Sequence, residues 1–277
     1  MNKIQAKHTL ESGVAYWTYH DDILPTIIMI HGFRGTHHGM DLIAKNLPNF
    51  HIIVPDLPGF GETGPLEKHD LDGYIQWLHE FLLRLNLPKA PVLLGHSFGS
   101  IVTAGYAATY PNTISKLILV NPIGAPALEG PRGLLTKLAL FYYWSGRKLP
   151  VNLARRWLST KPAVAMVTIT MTKSKDKTLR RYIHDQHFTY FSRFYDLKSL
   201  SESFHTSVTN NVRQSAPYIT VPTLLIAGEL DDITPIRKQQ ELVMMIPDGT
   251  LEIIKRVGHL THYETPEEVA NAIKHFI

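Results

Sequence analysis

The chain has 277 residues, enough for one large domain with an insertion or for two small domains, and its 44% hydrophobic and 19% charged content is typical of a globular protein. It contains no cysteine, which excludes disulfides and thiol chemistry. No segment resembles a secretion signal and no stretch approaches about 18 uninterrupted apolar residues, so we expect a cytoplasmic protein that does not span a membrane.

The formal net charge of +4 is distributed unevenly along the chain. Residues 125–200 contain 14 Lys and Arg against 4 acidic residues, whereas acids outnumber bases in the remainder. A basic segment inside an otherwise acidic chain indicates a part of the molecule with a role of its own.

The first 122 residues alternate between short apolar runs and amphipathic stretches. After an N-terminal hairpin that begins near residues 3–10, strands are predicted over 14–19, 26–30, 51–54, 92–94 and 117–120, and helices over 39–46, 70–86 and 101–108. Continuous apolar strands are covered on both faces, so the pattern predicts an α/β fold with a doubly wound, mostly parallel sheet.

The alternation stops between residues 123 and 217, where helical, aromatic and basic stretches cover 134–144, 153–158 and 179–194. It resumes with strands over 223–228 and 251–255 and helices over 236–245 and 266–277. We therefore predict a core of residues 1–122 and 218–277 interrupted by a helical lid over 123–217.

A serine stands at the sharpest predicted turn of the chain. Residues 92–94 predict a buried strand, Gly95-His96-Ser97-Phe98-Gly99 follows directly, and a helix comes next. Glycine at both flanks lets strand and helix pass closely, and the turn lifts the serine hydroxyl clear of the backbone. This context predicts that Ser97 is a nucleophile.

A serine hydroxyl needs a base to take its proton and a carboxylate to orient that base. The strand over 223–228 is followed by Asp231, and the strand over 251–255 is followed by His259. The carboxyl ends of parallel strands meet at one edge of the sheet, so we expect both side chains near Ser97. Asp232 is the alternative to Asp231.

Five motifs in this order resemble the α/β-hydrolase superfamily, in particular its lidded serine esterase, lipase and carbon–carbon hydrolase branch. They are His31-Gly32, Asp56-x-Pro-Gly-x-Gly61, Gly95-x-Ser97-x-Gly99, Gly228-x-x-Asp231-x-x-x-Pro235 and Gly258-His259.

The resemblance implies that Ser97 is the nucleophile, His259 the general base and Asp231 the orienting carboxylate. Its spacing favours Asp231 over Asp232. It also implies that the backbone N–H groups of Phe33 and Phe98 form the oxyanion hole, although ordinary loop packing is an alternative role for Phe33.

The sequence argues against other kinds of site. The closest histidine groupings have no third ligand at metal-binding spacing, no phosphate-binding glycine loop precedes a helix, and the basic segment matches no nucleic-acid-binding motif. We therefore expect no metal, no cofactor and no nucleic-acid partner.

The predicted function is hydrolysis of apolar carboxylic esters through an acyl-enzyme. Two alternatives stay open, namely a carbon–carbon bond hydrolase of the ring-cleavage-product type and a receptor on a hydrolase scaffold. Residues 134–144 predict a buried lid helix, or else a lid that touches an anionic lipid surface or guides an acidic substrate through its flanking arginines. The oligomeric state is not indicated.

Overall fold

The structure is a computed structural model of the chain and describes residues 6–125, 141–146, 148–158, 160–191 and 193–277. Its centre is an eight-stranded sheet with the order β1-β2-β4-β3-β5-β6-β7-β8. The strands are β1 Lys7–Glu11, β2 Val14–Tyr19, β3 Thr26–Ile30, β4 His51–Pro55, β5 Val92–His96, β6 Lys116–Val120, β7 Thr223–Gly228 and β8 Gly249–Ile254.

The sheet is mostly parallel. β1 and β2 form an antiparallel hairpin, and β2 also pairs antiparallel with β4, whereas every pair from β4 to β8 is parallel. The predicted α/β fold with a doubly wound, mostly parallel sheet is therefore confirmed.

Eleven α-helices are described within those ranges. They are α1 Asp41–Lys45, α2 Leu71–Leu85, α3 Phe98–Thr109, α4 at residues 141–146, α5 Val151–Leu158, α6 Lys161–Met171, α7 Lys177–Tyr190, α8 Leu197–Thr209, α9 Ile236–Val243, α10 Thr261–Glu264 and α11 Pro266–Phe276. The short α10 and the inserted helices α6 and α8 are additions to the sequence-based prediction.

The two faces of the sheet bury separate apolar cores, because neighbouring residues of a strand point to opposite faces. In β3, Ile28 and Ile30 pack towards α2 and α3, whereas Ile27 and Met29 pack towards α1 and α11. All four side chains have no solvent exposure. Continuous apolar strands are thus explained by a sheet covered on both sides.

Local sequence fixes where helices begin. At α2, the Asp70 carboxylate accepts a hydrogen bond from the Gly73 N–H, 2.9 Å away, which satisfies an amide that has no partner inside the helix. The helix ends at Asn86, which adopts a left-handed conformation with φ of 43°. Its buried stripe contains Tyr74, Leu78 and Phe81.

The segment between β6 and β7 contains no described strand and five described α-helices, α4 to α8. Most of the predicted helix over 134–144 lies outside the described residues, and its last four residues belong to α4. The helix predicted over 179–194 begins earlier and ends at Tyr190. The boundaries of the lid, 123–217, remain a prediction.

Candidate functional site

Ser97 stands between β5 and α3, in the turn that the sequence predicted. Its φ of 52° and ψ of −118° place it in a region that non-glycine residues rarely adopt. The side chain is partly exposed, while residues on both sides are buried. The fold therefore holds this serine in a strained conformation with its hydroxyl accessible.

Two glycines make this turn possible. A Cβ at position 95 would collide with the Thr103 hydroxyl and the Gly99 carbonyl, and a Cβ at position 99 would collide with the carbonyls of Ile30 and His31. The turn therefore packs directly against the end of β3, from which the loop carrying Phe33 leaves.

His259 lies against Ser97, with its Nε2 2.8 Å from the serine Oγ. Its Nδ1 lies 2.7 Å from Asp231 Oδ2. A carboxylate can only accept, so Nδ1 carries the proton and Nε2 is left to accept the hydrogen bond of the serine hydroxyl. The tautomer required of a general base is thus fixed by Asp231.

The Asp231 carboxylate is 3% exposed and fully hydrogen-bonded. It accepts from the backbone N–H groups of Ile233 and Thr234, at 2.7 and 3.0 Å, and from the Thr234 hydroxyl at 2.5 Å. Burial alone would raise its pKa, but the interaction with His259 and the hydrogen bonds from Thr234 outweigh burial and hold the pKa well below its usual range. Asp231 is therefore ionised at neutral pH.

Asn121 also contacts the Asp231 carboxylate, and the sequence-based prediction did not include it among the site residues. It follows β6, with φ of 45°, and its Nδ2 donates to Asp231 Oδ2 and to the Gly258 carbonyl, both at 2.9 Å. Its position directly after a buried strand, on the same sheet edge as the other residues, is the signal that could have identified it.

Asp232, the alternative acid, makes a different contact. Its Oδ2 lies 2.5 Å from the Lys173 ammonium, in the linker between α6 and α7. The same linker donates its Lys173 and Ser174 backbone N–H groups to the Glu264 carboxylate. Asp231, and not Asp232, bonds to the histidine, and Asp232 instead joins the inserted helices to the core.

The predicted oxyanion donors flank Ser97 from two elements. Phe98 is the first residue of α3, and an amide at that position has no acceptor inside the helix. The Phe33 loop passes close to the serine, because a Cβ on Gly32 would lie 3.2 Å from Ser97 Cβ. The Phe33 and Phe98 rings meet edge to face, with centroids 6.5 Å apart.

An aromatic cluster connects this loop to a cavity. Phe33 packs against Tyr143 and Phe204, with ring centroids 5.9 and 5.6 Å away, and both of these side chains line a cavity of about 700 Å³. Phe141 and Trp144 complete its aromatic wall, and its polar lining includes Lys68, Asp70, Glu202 and His205.

Two further histidines pack near His259. His96 and His262 are both about 5% exposed, with ring centroids 4.1 Å apart, and His96 Nε2 donates to the His259 carbonyl at 3.3 Å. Burial lowers the pKa of His96 to about 3 and that of His262 well below its usual value. Among the described residues, no group of three or more His, Cys, Asp or Glu could hold a metal ion.

Comparison with known proteins identifies the family. The model of the alpha/beta hydrolase fold matches residues 25–266, and the chain belongs to the α/β-hydrolase superfamily. The resemblance stated from the five sequence motifs is thus confirmed.

The chain is similar to several lipases. Lipase 1 of Psychrobacter immobilis is 27% identical over 259 residues, which cover 90% of this chain and 76% of that protein. The monoacylglycerol lipase ABHD6 of Bos taurus is 27% identical over 265 residues, covering 91% and 75% respectively. These relatives confirm the prediction of a carboxylesterase or lipase-like hydrolase.

Solved structures agree at the level of the fold. The enol-lactonase from Burkholderia xenovorans superposes with a TM-score of 0.80 at 14% identity, covering 98% of this chain and 99% of its own. Within the described part of the chain, no helix is long and apolar enough to cross a membrane.

Proposed function

We propose that this protein is a serine hydrolase that cleaves carboxylic esters through an acyl-enzyme intermediate. The observation that carries the proposal is the unbroken series of contacts from Ser97 Oγ to His259 Nε2, at 2.8 Å, and from His259 Nδ1 to Asp231 Oδ2, at 2.7 Å. Both distances are within the reach that proton transfer and orientation require.

The chemistry follows from these contacts. Ser97 Oγ attacks the ester carbonyl carbon while His259 Nε2 takes its proton, and the carbonyl oxygen becomes an anion that the N–H groups of Phe33 and Phe98 stabilise. His259 then gives the proton to the leaving alcohol, which departs as the acyl-enzyme forms. Water, activated by the same histidine, releases the acid and restores Ser97, with Asp231 stabilising the imidazolium throughout.

The proposal assigns the extended apolar group of the ester to the cavity lined by Tyr143 and Phe204, both of which contact Phe33. Its aromatic wall buries apolar surface, its charged lining suits a polar end, and about 700 Å³ lies in the range of small-molecule sites. Lipases and monoacylglycerol lipases among the relatives support the same substrate class.

A fluorophosphonate probe tests the nucleophile. Such a probe phosphonylates an activated serine, so we expect one label per chain on the peptide that contains Ser97. The matched control is Ser115→Ala, which removes an exposed hydroxyl just before β6 and should leave labelling unchanged. Labelling that persists in Ser97→Ala would refute the assignment.

The bond that is cleaved is tested with two substrate series. p-Nitrophenyl esters of increasing acyl length should be hydrolysed, with kcat/KM rising from acetyl to medium chains as the apolar group fills the cavity. Cleavage of a vinylogous diketone acid without ester turnover would instead establish a carbon–carbon hydrolase. Labelling without turnover of either substrate would favour a receptor.

The proposal includes contact between the inserted helices and an anionic lipid surface. Exposed apolar side chains are concentrated on α4 to α6, including Phe141, Trp144, Leu153, Trp157 and Met166. Residues 130–175 contain nine Lys and Arg and no acidic residue. A segment that combines exposed apolar side chains and tryptophan with a basic sequence matches the chemistry of an anionic bilayer interface.

Vesicle sedimentation tests this contact. Binding should be strong on phosphatidylglycerol-containing vesicles, weak on pure phosphatidylcholine and reduced by salt. Trp157→Ser should weaken it, whereas Leu83→Ser, which alters a more exposed apolar side chain on α2, should not. Equal binding to both vesicle types, or equal effects of the two variants, would refute the contact.

A further inference from the structure

Arg34 is a buried cation in the loop that carries Phe33. It is 8% exposed, and its φ of 60° lies in the left-handed region. Burying a guanidinium costs free energy unless its charge and N–H groups are compensated. The groups that compensate the charge and the N–H groups of Arg34 therefore indicate the role of this residue.

Within the described part of the chain, the hydrogen-bond partners of the Arg34 guanidinium belong to the inserted segment and are uncharged. Nε donates to the Phe191 carbonyl at 2.8 Å, Nη2 to the Leu158 carbonyl at 3.0 Å, and Nη1 to the Tyr143 hydroxyl at 3.2 Å. The Phe194 ring lies 5.8 Å from Cζ. One side chain thus joins the Phe33 loop to three segments of the insertion, namely α4, the end of α5 and the connection between α7 and α8.

Two of these contacts are made at helix ends. Leu158 is the last residue of α5, and Phe191 directly follows the last residue of α7. Carbonyls at a helix C-terminus lack partners within the helix and carry the negative end of its dipole. The guanidinium therefore caps two helices at once, and their dipoles compensate its buried charge.

The other side of the same loop approaches the nucleophile. Gly32 lies against Ser97, and the Phe33 ring packs on Phe98 and on Tyr143, which Arg34 also contacts. A shift of the inserted helices would therefore pull on a loop whose other end contacts the serine.

We infer that Arg34 is a positioning residue that couples the placement of α5 and α7 to the orientation of the Phe33 N–H towards the reacting carbonyl. This inference rests on the proposed function. It means that the insertion, besides shaping the cavity, controls how well the oxyanion is stabilised.

The test compares Arg34→Gln with Arg213→Gln, a control that removes a partly buried arginine paired with Glu241 away from this loop. Active sites are titrated with fluorophosphonate, and kcat, KM and the inhibition constant of a trifluoromethyl ketone are measured. That ketone forms a tetrahedral adduct with the serine, so its affinity reports oxyanion stabilisation.

For Arg34→Gln we expect kcat per titrated site to fall about 10- to 100-fold, the ketone to bind more weakly by a similar factor, and KM to change less than about threefold. Arg213→Gln should match wild type in all three. If Arg34→Gln does not fold, Arg34→Lys, which keeps the charge but loses the forked donors, should show smaller changes in the same direction. Unchanged kcat and ketone affinity with only reduced thermal stability would overturn the inference.

Amide hydrogen exchange tests the capping of α5 and α7 by Arg34 and does not depend on catalytic activity. Removing the shared cap should accelerate exchange in the last turns of α5 and α7 and leave α2 unaffected. If wild type is neither labelled nor active, the proposed function fails. The hydrogen-exchange measurement still tests whether Arg34 caps α5 and α7. Unchanged exchange in both helix ends would overturn it.

Discussion

Asn121 donates its side-chain N–H to Asp231 across the carboxyl ends of two neighbouring strands, at 2.9 Å. A second N–H of the same amide reaches the Gly258 carbonyl, next to His259. One neutral side chain after β6 therefore holds both Asp231, which follows β7, and the loop before His259, which follows β8. An amide suits this position because it supplies two donors without adding a charge beside the Asp231–His259 pair.

Replacing Asn121 by Ala should lower kcat about 10-fold, because the carboxylate loses a donor and the His259 loop loses an anchor. The buried Gly258 carbonyl would be left without this partner, so the free energy of unfolding should fall by about 1–3 kcal/mol. Ester kinetics and urea unfolding measure the two effects. The control is Asn210→Ala, which removes a side-chain hydrogen bond donated to the Thr206 carbonyl at the end of α8. An equal loss of kcat in that variant would contradict the assignment.

Asp231→Asn and Asp232→Asn should behave very differently. Asparagine at 231 can no longer accept the Nδ1 proton and stabilise the imidazolium, so we expect kcat to fall about 10³- to 10⁴-fold. Asparagine at 232 removes the charge that pairs with Lys173 and leaves the bond from Asp231 to His259 in place, so kcat should stay within about threefold. Steady-state hydrolysis of one p-nitrophenyl ester measures kcat for both variants. A larger loss of kcat in Asp232→Asn than in Asp231→Asn would reverse the roles of the two residues.

The buried His96 predicts a loss of stability in acid. Burial lowers the pKa of its imidazole to about 3, whereas the unfolded chain titrates near about 6.5. Between these values the unfolded state binds a proton that the native state does not, so stability falls as pH drops from about 6.5 towards 3.

His96→Gln removes the imidazole that binds this proton in the unfolded state. The pH dependence of the free energy of unfolding should become shallower by up to about 1.4 kcal/mol per pH unit between about pH 4 and 6. Urea unfolding across this range measures the slope. A slope identical to wild type would show that His96 does not stay neutral in the fold.

Patterns among residues close in sequence were sufficient to predict much of the core of the fold. The continuous apolar runs predicted the buried strands, and the glycines at 95 and 99 predicted the turn at Ser97, because both are constraints between residues close in sequence. Chain order then placed Asp231 and His259 at the same sheet edge as Ser97, where the structure brings them within hydrogen-bonding distance.

Long-range contacts explain what the sequence could not reveal. The guanidinium of Arg34 meets residues more than 100 positions away, so its burial leaves no periodic pattern in the chain. Asn121 likewise depends on partners 110 and 137 residues distant. Helix α8 was missed because its sequence is rich in serine and threonine, and the buried Ser199 and Ser203 occupy positions where an apolar stripe would be expected.

Hydrolysis of p-nitrophenyl butyrate by wild type and by Ser97→Ala, at equal concentrations of folded protein, tests the central claim most directly. Without the hydroxyl no acyl-enzyme can form, so we predict that kcat falls about 10⁵-fold or more in the variant while substrate binding is retained. A kcat for Ser97→Ala within about tenfold of wild type would contradict the account, because the serine could not then be the nucleophile.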